Sequence, residues 1–73
     1  IYPNPTNGVF KVQSQVNLEI QGVYSLTGES IEFKVSHLSN SLQEVSIDGK
    51  EGVFFILFRT SDRNYMKKLM VLE

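Results

Sequence analysis

The segment Val53-Phe54-Phe55-Ile56-Leu57-Phe58 is apolar at every position, and a second apolar segment ending Leu69-Met70-Val71-Leu72 follows it across a polar turn. A run this short cannot span a bilayer as a helix, which takes about 20 apolar residues. It suits a buried strand, being rich in aromatic and β-branched side chains and bounded by turn residues. Ser61-Asp62-Arg63-Asn64 supplies the turn, so Val53 to Thr60 and Tyr65 to Leu72 are predicted to form an antiparallel hairpin. If Thr60 pairs with Tyr65, one face collects Phe54, Ile56, Phe58, Leu69 and Val71. The other collects Val53, Phe55, Leu57, Met70 and Leu72, with Lys68 among them. A hairpin with one wet side alternates apolar with polar residues. This one has two apolar faces: the first is assigned to the core, and the second needs another cover.

The rest of the chain is written in the same short units. Tyr2-Pro3-Asn4-Pro5-Thr6-Asn7-Gly8 is turn chemistry, with two fixed φ angles and an Asn-Gly step. Val9 to Val12 reads as a first strand, with Phe10 and Val12 on one face. Asn17 to Leu26 reads as a second strand interrupted at Gly22, where a bulge would shift the inward parity. Leu26-Thr27-Gly28-Glu29 is predicted as a hairpin turn into a third strand, where Ile31, Phe33 and Val35 alternate. Ser36 to Ser41 is a polar loop, Val45 and Ile47 mark a fourth strand, and Asp48-Gly49-Lys50-Glu51-Gly52 is a loop. No helical period occurs anywhere. The expected fold is all-β, a small antiparallel Ig-like β-sandwich of six or seven strands. Its predicted core is Phe10, Val12, Phe33, Val45, Ile47, Phe54, Ile56, Phe58, Leu69 and Val71.

Bulk properties limit the function. The 73 residues make one domain, 1–73, and contain no Cys, so the fold must hold by its β core alone or borrow support from a neighbour. A net charge of −1 offers no footprint for nucleic acid or an anionic membrane. The opening at Ile1, with neither initiator Met nor leader, leads to the expectation of a piece cut from the end of a longer exported protein.

Candidate chemistry is sparse. His37 is the one histidine and reads as a solvated loop residue. Ser36, His37 and Asp48 assemble into a hydrolytic triad only on paper, since no oxyanion loop accompanies them. Asp48, Glu51 and Asp62 carry oxygens suited to Ca²⁺, but they are spread over separate turns and read as turn formers. Tyr2, Phe10 or Tyr65 could contribute an aromatic platform for a glycan. No catalytic, cofactor or metal site is expected, and the chain is not expected to be an enzyme.

The order of these units is recognisable. Tyr2-Pro3-Asn4-Pro5-Thr6-Asn7-Gly8 resembles the opening of the type IX (Por) secretion C-terminal sorting domains of Bacteroidetes. Val23-Tyr24-Ser25-Leu26-Thr27-Gly28, Gly52-Val53-Phe54-Phe55 and Lys67-Lys68-Leu69-Met70-Val71 resemble that family's later landmarks, in the same order. The positions carrying the likeness are Pro3, Asn4, Pro5, Gly8, Gly28, Gly52, Phe54, Lys67 and Lys68. Departures are Gln21 where an apolar residue is usual, Ser25 for an acidic one, Phe54 for Tyr, and a final Glu73. The resemblance implies an address that takes a cargo protein through the periplasm and across the outer membrane, to the cell surface or beyond. It implies three partners: the type IX machinery, a sortase-like protease that removes the domain, and an upstream cargo domain. The apolar patch Val53, Phe55, Leu57, Met70 and Leu72 is the candidate recognition surface, expected to be covered by the translocon, by the cargo domain or, in isolation, by a second copy. The competing reading is an Ig-like structural or adhesive module, glycan-binding, on an extracellular protein.

Overall fold

The computed structural model describes residues 7–48 and 51–72, so Tyr2 and the Pro3-Asn4-Pro5 motif lie outside the described residues. Six strands follow one another: β1 (Val9–Gln13), β2 (Glu19–Ser25), β3 (Phe33–His37), β4 (Leu42–Ile47), β5 (Gly52–Arg59) and β6 (Asn64–Val71). They form two antiparallel three-stranded sheets, ordered β1-β4-β3 and β2-β5-β6. This is the expected all-β sandwich, with no helix among the described residues.

Each sheet turns one pleat face inward, because side chains two apart on a strand share a face. The first sheet contributes Phe10, Val12, Val45 and Ile47, and the second Ile20, Val23, Phe54, Ile56, Phe58, Leu69 and Val71. Leu18, Ile31, Phe33, Val35 and Tyr65 pack around this cluster, half-buried. Nine of the ten predicted core residues are therefore buried; Phe33 sits at the margin, on an edge strand. The core gains Ile20 and Val23, which the sequence left unassigned on either side of Gly22. The sheets are also tied by a polar contact, in which the Gln43 side-chain amide donates to the Leu18 carbonyl at 3.0 Å.

Three expectations are corrected. The last hairpin pairs Arg59 with Asn64 and Phe54 with Leu69, two residues along β6 from the expected Thr60–Tyr65 register. The cause is the turn. The Thr60 hydroxyl accepts from the backbone N–H groups of Asp62 and Arg63 at 3.3 Å each and donates to the Arg63 carbonyl at 3.2 Å. The Thr60 N–H reaches the same carbonyl at 2.8 Å, so Asn64 enters the strand and does not belong to the turn. A shift of two keeps the pleat parity, and both face assignments survive.

Second, the turn at Leu26–Glu29 forms but does not build a β2–β3 hairpin. Gly28 N–H donates to Ser25 at 2.9 Å, and Tyr24 and Ser30 make one isolated bridge. The chain then crosses over, and β3 pairs with β4 in the other sheet. Third, Ile31 precedes β3 and donates its N–H to the Val23 carbonyl at 2.8 Å, so the alternation from Ile31 to Val35 is not one strand.

The packing generates a stability prediction. Leu69 is fully buried, whereas Met66 on the same strand is 53% exposed. Leu69→Ala should lower unfolding free energy by about 2–4 kcal/mol, a large share of what so small a domain has. Met66→Ala should stay within about 0.5 kcal/mol. Urea titrations of the two variants check both values.

Candidate functional site

The two outward faces of the sandwich differ in chemistry. The first sheet turns outward Lys11, Glu44 and Ser36 in one cross-strand row, Val9, Ser46 and Lys34 in the next, and Gln13 with Leu42 in a third, a mainly polar face on which Val9 is exposed. The second sheet exposes apolar rows. Tyr24, Phe55 and Lys68 stand side by side across β2, β5 and β6. Leu57 lies opposite Met66 in the next row, and Val53 opposite Met70 on the other side. Val53, Phe55 and Leu57 are half-buried by their neighbours; Met70 and Leu72 are 40% and 43% exposed. The facing predicted for Val53, Phe55, Leu57 and Met70 is thus observed, and Leu72 follows directly after β6.

A bulge organises the β2 side of this face. Ile20 pairs with Phe58 and Gly22 with Leu57, so Gln21 is an extra residue on β2. The parity therefore changes: Ile20 and Val23 point inward although three apart, and Tyr24 points outward. Gly22 is buried, and a Cβ there would lie 2.7 Å from the Tyr24 hydroxyl oxygen and 3.0 Å from its ring. Glycine at 22 is what lets the tyrosine lie down on the sheet. Beside it, Tyr24, Leu26, Gly28, Phe55, Leu57 and Met66 line an open, mainly apolar groove of about 500 Å³.

The other landmarks serve the geometry. Gly8, Gly28 and Gly52 have φ of 108°, 88° and 148°. Gly28 closes the turn beside the groove, where Ser25 and Thr27 hydroxyls lie 3.0 Å apart and Ser25 Oγ accepts from the Glu29 N–H. Phe54 is buried in the core beneath the face. Lys67 and Lys68 are both exposed but point to opposite faces of β6, an edge strand. Lys68 joins the apolar face opposite Phe55, while Lys67 falls opposite Ile56 on the other side.

The remaining candidates do not converge. His37 ends β3 and pairs with Gln43, while Asp48 follows β4 beside Glu32, at the opposite end of that sheet. Ser36 and His37 are adjacent strand residues on opposite faces, so the paper triad is not assembled. Asp48 and Glu51 flank the β4–β5 loop, and Asp62 lies in the turn at the far end of β5. Among the described residues no three His, Cys, Asp or Glu side chains form a group able to hold a metal. The glycan platform is corrected: Phe10 is 1% exposed and belongs to the core. Tyr65 is stacked on Phe58 at 5.4 Å with the Arg63 guanidinium 5.4 Å from its centroid.

With this arrangement in place, comparison with known proteins is decisive at the level of family. The family described as Secretion system C-terminal sorting domain matches residues 1–72. The chain belongs to this family. No curated protein and no solved structure matches it. The sorting domain is a C-terminal signal for type IX secretion, directing a protein to the cell surface or the extracellular space, and the family is one of Bacteroidetes. That role brings it into contact with the secretion machinery and with a cargo protein. The six strands of the sorting domain leave one apolar surface on display, and the family landmarks Gly28 and Lys68 both border it.

The two glycines near the groove should respond differently to substitution. At Gly28 nothing lies within 4 Å of a new Cβ, so only the φ of 88° opposes a side chain. Gly28→Ala should lower stability by about 1–2 kcal/mol. Gly22→Ala should shift the Tyr24 ring instead, seen as altered ring-proton chemical shifts in NMR spectra. Unchanged Tyr24 resonances in folded Gly22→Ala would show that the ring does not lie over position 22.

Proposed function

We propose that secretion machinery binds this sorting domain in its folded state through the outer face of β2-β5-β6, centred on Val53, Phe55, Leu57, Met70 and Leu72. The domain acts by being bound and carries no reaction of its own. A sortase-like protease then separates it from its cargo ahead of β1. One observation carries this reading: of two three-stranded sheets, one has a mainly polar outer face and the other a mainly apolar one. Burying a Val, Leu, Phe or Met side chain fully is worth about 1.5–3 kcal/mol over exposure. Even partial cover of five such residues is therefore a substantial source of affinity.

The test is export. Residues 1–73 fused to a reporter should appear outside a type IX-competent cell. Deleting Lys67 to Glu73 removes most of β6 and should leave the reporter in the periplasm. Replacing Phe55 and Met70 together by Ser should leave the fold intact, measured by circular dichroism, while export falls. Unfolding of that double variant would place the two residues in the core. Full export with unchanged folding would remove the face from recognition.

A further inference from the structure

The outer face carries a charge within its apolar rows, and its position is informative. Lys68 is exposed, with the Phe55 ring as its cross-strand neighbour and Met66 and Met70 on either side along β6. Glu19, the carboxylate that shares this face by register, stands opposite Arg59, two rows further along. No acidic residue of β2, β5 or β6 lies in the Lys68 row or the rows beside it. The groove floored by Phe55 and Leu57 opens on the β2 side of the same rows.

Size narrows the occupant. Three strands about 4.8 Å apart, over about seven residues at ~3.4 Å each, give a face of roughly 300–350 Å² in projection. A stable protein interface takes about 800 Å² from each partner. A second copy stacked on this face would fall short of that, and the carboxylate it brings, Glu19, stands two rows from Lys68 and opposite Arg59 of its own sheet. A purely apolar cover fares no better, because it would take the ammonium out of water unpaired. A small segment with one negative charge meets both conditions.

We infer that this face docks a short segment of another protein, which seats a bulky apolar side chain in the groove and sets a carboxylate on Lys68, about 5–10 Å across the strands. This rests on the outer face being the recognition surface, and it assigns the chemistry of what binds there. The charge makes the site selective: neutral apolar surfaces are disfavoured by the cation they would bury. The small area makes the contact transient, which suits a signal that must be released.

The experiment uses the 1–73 reporter fusion in a type IX-competent cell, with Lys68→Arg, Lys68→Met, Lys68→Glu and Leu57→Ser. Purified fusions are first compared by thermal unfolding, and only variants with parental melting are scored. Lys68→Arg should export like the parent. Lys68→Met should export several-fold less, Lys68→Glu roughly tenfold less or lower, and Leu57→Ser should also fall. Failure of the parent fusion to be exported would instead sink the sorting reading beneath this one. With the parent exported, Lys68→Met at or above the parental level would overturn the carboxylate. Parental export by Leu57→Ser would overturn the groove. A photo-crosslinker placed at Met66 gives an independent check. Crosslinks between two copies, or to the fused reporter, would replace the proposed partner and overturn the inference. So would Lys68-dependent binding of the purified fusion to phosphatidylglycerol vesicles.

Discussion

Phe54, Ile56 and Phe58 form a stripe on one side of β5 that fills much of the space between the sheets, and β5 is paired on both edges. In a domain with no disulfide this strand is the part that cannot be loosened. Leu69 and Val71 close against it from β6, Ile20 and Val23 from β2, and Phe10, Val12, Val45 and Ile47 from the opposing sheet. The alternate residues of the same strand must then point away from the core. Because they are Val53, Phe55 and Leu57, the strand that holds the fold together also builds the surface proposed to be recognised. Core and site share one backbone, and a change of register in one would be felt in the other.

That coupling explains which features could be read from the sequence. The pleat has a period of two, so the alternation of Val53 to Phe58 identified both faces without the exact pairing. The pairing itself depended on the Thr60 hydroxyl capping its own turn, and Thr60-Ser61-Asp62-Arg63 offers several polar groups equally suited on paper to that role. The missed core residues, Ile20 and Val23, straddle the bulge, where an extra residue breaks the parity on which inference from alternation relies. Gln21 is that extra residue; it is exposed, which accounts for a polar side chain where the family usually has an apolar one.

Sheet membership was the part not legible. The turn at Leu26–Glu29 is written plainly in Thr27-Gly28, but a turn says where the chain reverses and not which neighbour it then joins. Ser30 and Ile31 continue along the edge of β2 for two residues before β3 crosses to pair with β4. Phe10 was placed in the core by its alternation with Val12 and was also allowed to a glycan platform; its burial decides for the core. An aromatic in a short alternating strand faces the core or the solvent according to packing of a sheet that only the tertiary structure supplies.

The row Tyr24–Phe55–Lys68 draws on three strands, and Gly22 belongs to a bulge that exists only while β2 is paired with β5. A peptide copied from any one strand would display a fragment of this pattern and none of its geometry. The surface is therefore a statement about the completeness of the domain: β6, sixth of six in chain order, must be in place before the row exists. A receptor that reads it need not inspect the chain for errors of synthesis. A tail that stops short of β6, or fails to close on its core, has nothing to show.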